Sequence, residues 1–100
     1  MVDKSETLGG ALEDLQAFCA VIEFGSISAA ARQLQETKGG VSRRISRLEK
    51  RLGAALLART SRAVSATEEG NAFYLKARDA LSLLSEATHD ARQSGSVPPL

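Results

Sequence analysis

The side chains with most chemistry to offer in this chain are cations. Lys38, Arg43, Arg44, Arg47, Lys50, Arg51, Arg59 and Arg62 fall between residues 38 and 62, opposed there by one acid, Glu49, so this stretch carries +7. Residues 1–37 sum to −4 and residues 63–100 to −2, leaving +1 for the 100 residues. Charge segregated in this way is the electrostatic footprint of a polyanion-binding surface, nucleic acid first, with a polybasic contact to a membrane as the competing partner. Nucleophilic chemistry has little to draw on. The one histidine, His89, sits in a polar C-terminal segment, and the one cysteine, Cys19, leaves no internal disulfide and no thiolate metal cluster. Catalytic residues, metal ligands and cofactors are therefore not expected.

The elements that must present these cations follow from periodicity. Lys38 to Leu52, KGGVSRRISRLEKRL, reads as a helix at about 100° per residue. Val41, Ile45, Leu48 and Leu52 share one side. Arg43, Arg47 and Lys50 share the opposite side with Ser46 and Gly39, and Arg44 and Arg51 flank it. One side calls for a core and the other for a polyanion. Arg44 and Arg51 are assigned to the solvated flank or to acids of neighbouring helices.

Two helices precede this one. Ala11 to Phe24 places Leu12, Leu15, Phe18, Cys19 and Ile22 on an apolar stripe, which makes Cys19 a small core residue. Gly25 ends that helix and Ser26 caps the next, Ile27 to Leu34, with Ile27, Ala30, Ala31 and Leu34 inward. Gln35-Glu36-Thr37 breaks the pattern, and Thr37 caps the basic helix. Two short helices joined by a tight turn, the second basic on its outer face, have the geometry of a helix-turn-helix, about residues 27–46.

Gly53 stops the basic helix. Residues 56–60 and 63–65 then read as two short strands with Ser61-Arg62 at the turn, a wing beside the helix-turn-helix. Thr67 caps a long helix running to about Gln93, with Glu68 and Glu69 in its first turn. Phe73, Ala77, Ala80, Leu84, Ala87 and Ala91 recur along it at four- and three-residue spacing, a coiled-coil-like seam too long for so small a domain to cover. A homodimer through this helix is expected, with higher assembly open to it. Residues 1–10 read as a flexible leader, 11–66 as the winged domain, 67–93 as the linker helix and 94–100 as a hinge or cut end. No apolar run approaches the ~20 residues of a membrane span. No signal peptide is visible either, so a cytoplasmic protein is expected.

Five pieces of this chain, in order, resemble the N-terminal DNA-binding domain of LysR-type transcriptional regulators: LQAF (15–18), SISAAARQL (26–34), VSRRISRLEKRLG (41–53), LARTSR (57–62) and TEEG (67–70). The resemblance implies a mostly helical winged helix-turn-helix, a linker helix that dimerises in antiparallel fashion, and bacterial transcription control at the nucleoid. It further implies a separate C-terminal domain that senses a small molecule. This chain stops before such a domain and is expected to bind DNA without an inducer site. Two departures stand out. Thr37-Lys38-Gly39-Gly40 replaces the family's usual Ser/Ala-Gln-Pro-Ala/Ser, so a lysine, which favours phosphate or guanine acceptors, replaces an amide. Ala58 stands where the family often has Glu or an aromatic neighbour.

On this reading the basic helix enters the major groove. Ser42 and Arg43, with Ser46 behind, reach bases, and Arg47 and Lys50 meet phosphates. Thr37, Lys38 and the Gly39 backbone form a phosphate site at the helix N-terminus. Arg62 enters the minor groove. Arg59 is open between a DNA contact and a structural ion pair at the wing base. Gly40→Ala is expected to raise stability by restoring helix propensity. Two alternatives stand beside this: a protein–protein helical module in which the long helix is the working surface, and a winged-helix DNA binder of another family.

Overall fold

The computed structural model describes residues 11–60 and 63–94. The leader (1–10), most of the hinge segment (95–100) and the Ser61-Arg62 turn lie outside the described residues. The order is α1 (Ala11–Phe24), α2 (Ile27–Leu34), α3 (Lys38–Leu52), β1 (Leu57–Arg59), β2 (Val64–Ala66) and α4 (Glu68–Gln93).

α2, α3 and α4 each begin at a side-chain cap. Ser26 Oγ accepts the Ala29 N–H at 3.0 Å, and Thr37 and Thr67 Oγ1 accept those of Gly40 and Gly70, both at 2.9 Å. These bonds satisfy donors that a helix N-terminus leaves without a partner. Gly25 (φ 83°) and Gly53 (φ 66°) close α1 and α3 in the left-handed conformation. Gln35 closes α2 at φ 57°, and the Glu36 N–H reaches the Ala31 carbonyl at 2.9 Å, so the turn from α2 to α3 is short and pinned.

α1 is the hub, packed against α2, α3 and α4. Its buried residues are Asp14 and Ala17 to Val21. The stripe expected from the sequence is therefore displaced. Phe18 and Cys19 are buried, Leu15 and Ile22 are half-buried, and Leu12 is exposed. The reason is coverage: α3 and α4 lie on different sides of α1, so more than one face is enclosed. Val41, Ile45 and Leu48 of α3 are buried with Ala30 and Ala31 of α2, whose small side chains permit a close crossing. Leu52, expected inward, is 45 % exposed. It sits in the last turn of α3, beyond the reach of the covering helices.

β1 and β2 form an antiparallel ribbon in which Leu57 faces Ala66 and Arg59 faces Val64. Glu49 joins the ribbon to α3. Its Oε2 accepts the backbone N–H of Leu56 at 2.8 Å and of Leu57 at 3.1 Å. The Thr67 N–H bonds back to the Leu56 carbonyl at 3.0 Å, and Thr67 Oγ1 donates to the Ala55 carbonyl at 2.6 Å. Thus the acid that dilutes the basic run serves the wing and not the surface.

α4 is anchored along its first half and as far as Leu81, which is half-buried against the core. Phe73 packs on Phe18 with ring centroids 5.9 Å apart, and the Tyr74 hydroxyl donates to Glu23 at 2.9 Å. Burial raises the Tyr74 phenol above its usual value, and this bond reinforces the shift. Phe73 is half-buried and Ala77 buried in the domain's own core. The seam expected to face a partner is therefore used up at its start and begins at Ala80. Ala80, Leu84, Ala87 and Ala91 are exposed.

Candidate nucleic-acid interface

The side of α3 facing away from Val41, Ile45 and Leu48 is solvent-facing along its length. Thr37, Lys38, Gly39, Arg43, Ser46, Arg47 and Lys50 are exposed and Ser42 is half-buried. Arg43 and Lys50 form no ion pair among the described residues. A shallow polar groove at the start of the helix is lined by Thr37, Gly40, Arg43, Arg44 and Arg47, with Glu36 at its edge. The capping bond from Thr37 uses the Gly40 N–H, while Gly39 presents an open backbone at which the nearest atom to an added Cβ is Arg43 Nη1, 3.4 Å away. Cations and unfilled helix-terminal donors on one surface suit an anion.

Arg59, posed by the sequence as a DNA contact or a structural ion pair, is exposed and forms no ion pair among the described residues. Its Nη1 donates to Ser42 Oγ at 2.8 Å. The bond crosses from the wing strand to the helix and fixes the ribbon beside the outward face of α3. Arg62 lies outside the described residues.

The residue that sequence reasoning missed is Asp14. Its side chain is fully buried, yet it is an acid. Arg47 grips it with two hydrogen bonds, Nη2 to Oδ1 at 3.0 Å and Nε to Oδ2 at 3.2 Å. Arg44 Nη1 stands 3.8 Å from Oδ1 and Arg51 Nη1 3.7 Å from Oδ2. Arg44 is also bonded to Glu36, Nε to Oε1 at 2.8 Å. The hydrogen bond to Glu36 is the main cause that holds the Arg44 guanidinium above its usual range, and that to Asp14 does the same for Arg47. Arg47, expected on the open face, is thus tied along one edge to α1, though half of its side chain remains in solvent. A signal for this was present: an acid one turn before Phe18 in an otherwise apolar stripe, opposite arginines spaced by three and four on α3.

Cys19 is a core residue, its thiol pushed up to about 11 chiefly by burial and further by Glu23. A thiol so raised is not a nucleophile near neutrality. No helix of the described residues is long and apolar enough to cross a membrane, and no cluster of metal-ligating side chains occurs among them.

Three helices with a tightly turned second pair, a two-stranded ribbon tied to the last of them and a basic outward face define a winged helix-turn-helix. The chain belongs to the bacterial regulatory helix-turn-helix proteins of the lysR family, whose model matches residues 12–71. It is 40 % identical over 86 residues to the HTH-type transcriptional regulator CrgA of Neisseria meningitidis, an alignment covering 86 % of this chain and 29 % of that protein. It is 43 % identical over 63 residues to the HTH-type transcriptional activator AaeR of Escherichia coli, covering 63 % of this chain and 20 % of the relative. The chain thus spans less than a third of the length of these relatives. Among solved structures it is similar to the BenM DBD in complex with catB site 1 DNA, with TM-score 0.80 and 38 % identity over 85 % of this chain and 98 % of that one. It is also similar to the CbnR DBD–DNA complex, with TM-score 0.77 and 34 % identity over 83 % and 95 %.

Proposed function

We propose that this chain is the sequence-specific DNA-binding part of a bacterial transcriptional regulator, acting as a homodimer on an interrupted inverted repeat. The observation that carries the reading is the exposed basic face of α3, Arg43 to Lys50, held outward by buried Val41, Ile45 and Leu48. It sits on a domain that matches family members solved on DNA. In the proposed complex Ser42 and Arg43 read base edges, with Ser46 behind them. Lys38, the Gly39 backbone and Lys50 take phosphates, and the wing with Arg62 lies along the minor groove. Ala80, Leu84, Ala87 and Ala91 pair with the same residues of a second copy. The chain works without a cofactor and is not an enzyme. A further domain of the whole regulator holds the small-molecule effector, and the protein acts in the cytoplasm at the nucleoid.

The test is selection of bound duplexes from a random DNA pool, followed by titration across salt concentration. With about four phosphate contacts per protomer the dimer gives a log–log salt slope near about −7, because each contact releases condensed counterions. A slope near zero, or no enrichment of an inverted repeat, contradicts the proposal. The protein–protein alternative predicts no duplex binding.

A further inference from the structure

We infer that Asp14 is a positioning residue for DNA recognition: from beneath the surface it holds Arg47, flanked by Arg44 and Arg51, as a pre-set clamp on the flank of the recognition helix. The inference rests on the DNA-binding reading above and adds a residue that touches no DNA. Asp14 is fully buried on α1, whereas its three arginine neighbours come from successive turns of α3. A buried carboxylate is costly unless it is paired and hydrogen-bonded. Here the pairing is two-pointed with Arg47 and closer than with the other two.

The geometry leaves Arg47 with work still available. A guanidinium has five N–H groups in a rigid fork. Nε and Nη2 face Asp14, so the edge bearing Nη1 is directed away from the carboxylate. The side chain is 51 % exposed, against 27 % for Arg44 and 34 % for Arg51. The single Asp14 carboxylate faces three guanidinium groups, so it cannot neutralise all of them. Arg47 can therefore keep its inner edge on Asp14 while its outer edge meets a phosphate oxygen. An unrestrained arginine must lose its rotamer freedom on binding, but here much of that loss has already occurred on folding. Non-specific association has no need of such order, since mobile charge suffices. Sequence-specific docking does need it, because phosphate contacts fix the register from which the base-reading residues work.

The experiment compares wild type, Asp14→Asn, Arg47→Ala and the double variant. Each is titrated with a duplex selected by the wild type from a random pool and with a scrambled duplex, and its thermal unfolding is followed. Asp14→Asn is expected to lower the selected-to-scrambled affinity ratio by roughly tenfold, the scale of one ordered long side chain. Its scrambled-duplex affinity holds or rises, since a negative charge is lost. In the Arg47→Ala background the same substitution changes the ratio no further. An unchanged ratio accompanied only by a lower Tm makes Asp14 purely structural and overturns the inference, as does full additivity in the double variant. If Asp14→Asn does not fold, Arg47→Lys decides the matter. It keeps the charge but loses the two-point bond, so the ratio must fall, and a ratio equal to wild type overturns the inference. Failure of the wild type to bind any duplex is a different result and removes the DNA-binding reading itself.

Discussion

Gly70, in the first turn of α4, lies against the backbone of Leu56, the residue that leads into the wing. A Cβ added at Gly70 would collide with the Leu56 carbonyl, with the Leu56 Cα only 3.2 Å away. That carbonyl also accepts the Thr67 N–H at 3.0 Å. The close approach locks the start of the long helix onto the strand connection, and it sets the direction in which α4 leaves the domain.

Gly70→Ala should therefore destabilise the domain although alanine is the better helix former. Alanine gains about 1 kcal/mol of helix propensity at most, while forcing a backbone carbonyl aside costs at least about 1–3 kcal/mol. Urea unfolding measures the balance. A variant as stable as wild type would mean that the two backbones separate freely.

The first turn of α3 offers the opposite case. A Cβ at Gly39 meets only the end of the Arg43 side chain at 3.4 Å, so Gly39→Ala should raise Tm by roughly 2–6 °C through recovered helix propensity. The sequence pointed to Gly40 for this gain. There a Cβ would come within 3.0 Å of Thr37 Oγ1, the oxygen that caps the helix. Gly40→Ala should accordingly stabilise less than Gly39→Ala. Equal melting temperatures would show that the cap gives way at no cost.

Arg43 is exposed on the outward side of α3 and forms no ion pair among the described residues. Arg43→Ala should relax base preference at one position of each half-site, a loss of about 1–3 kcal/mol of discrimination if the arginine forks onto guanine. Repeating the pool selection with the variant reads this directly. Uniform weakening on every sequence would instead place Arg43 on a phosphate.

Cys19 makes stability depend on pH at the alkaline end. Its thiol ionises near 9.0 when unconstrained and near about 11 when folded. The folded state holds the proton longer, so the contribution is fully present below pH 9.0 and is lost as pH rises towards 11. It amounts to at most roughly 3 kcal/mol. Tyr74 is raised in the same sense and is present in both proteins, so the difference between wild type and Cys19→Ala isolates the thiol. That difference should shift against the wild type across this window. A constant difference would mean that the buried thiol ionises as it does in the unfolded chain.

Much of this protein was written in local sequence. Caps and stops mark most helix ends: Ser26, Thr37 and Thr67 begin α2, α3 and α4, and Gly25 and Gly53 end α1 and α3. The period of α3 separated its buried aliphatic side from its cationic side, and five ordered motifs carried the family. These features depend on neighbours within a few residues along the chain. The tertiary structure alone decided which side chains a second element would claim. Asp14 meets arginines 30 to 37 positions away in the sequence, and Arg47 is drawn from the open face to that buried carboxylate. Glu49 turns inward to serve the wing, Arg59 reaches across to Ser42, and Phe73 and Ala77 leave the expected seam for the domain's own core. Periodicity says which way a residue faces on its own helix. What lies opposite depends on how helices cross, and a buried charge, a shared hydrogen bond or an occupied apolar face exists only once they have crossed.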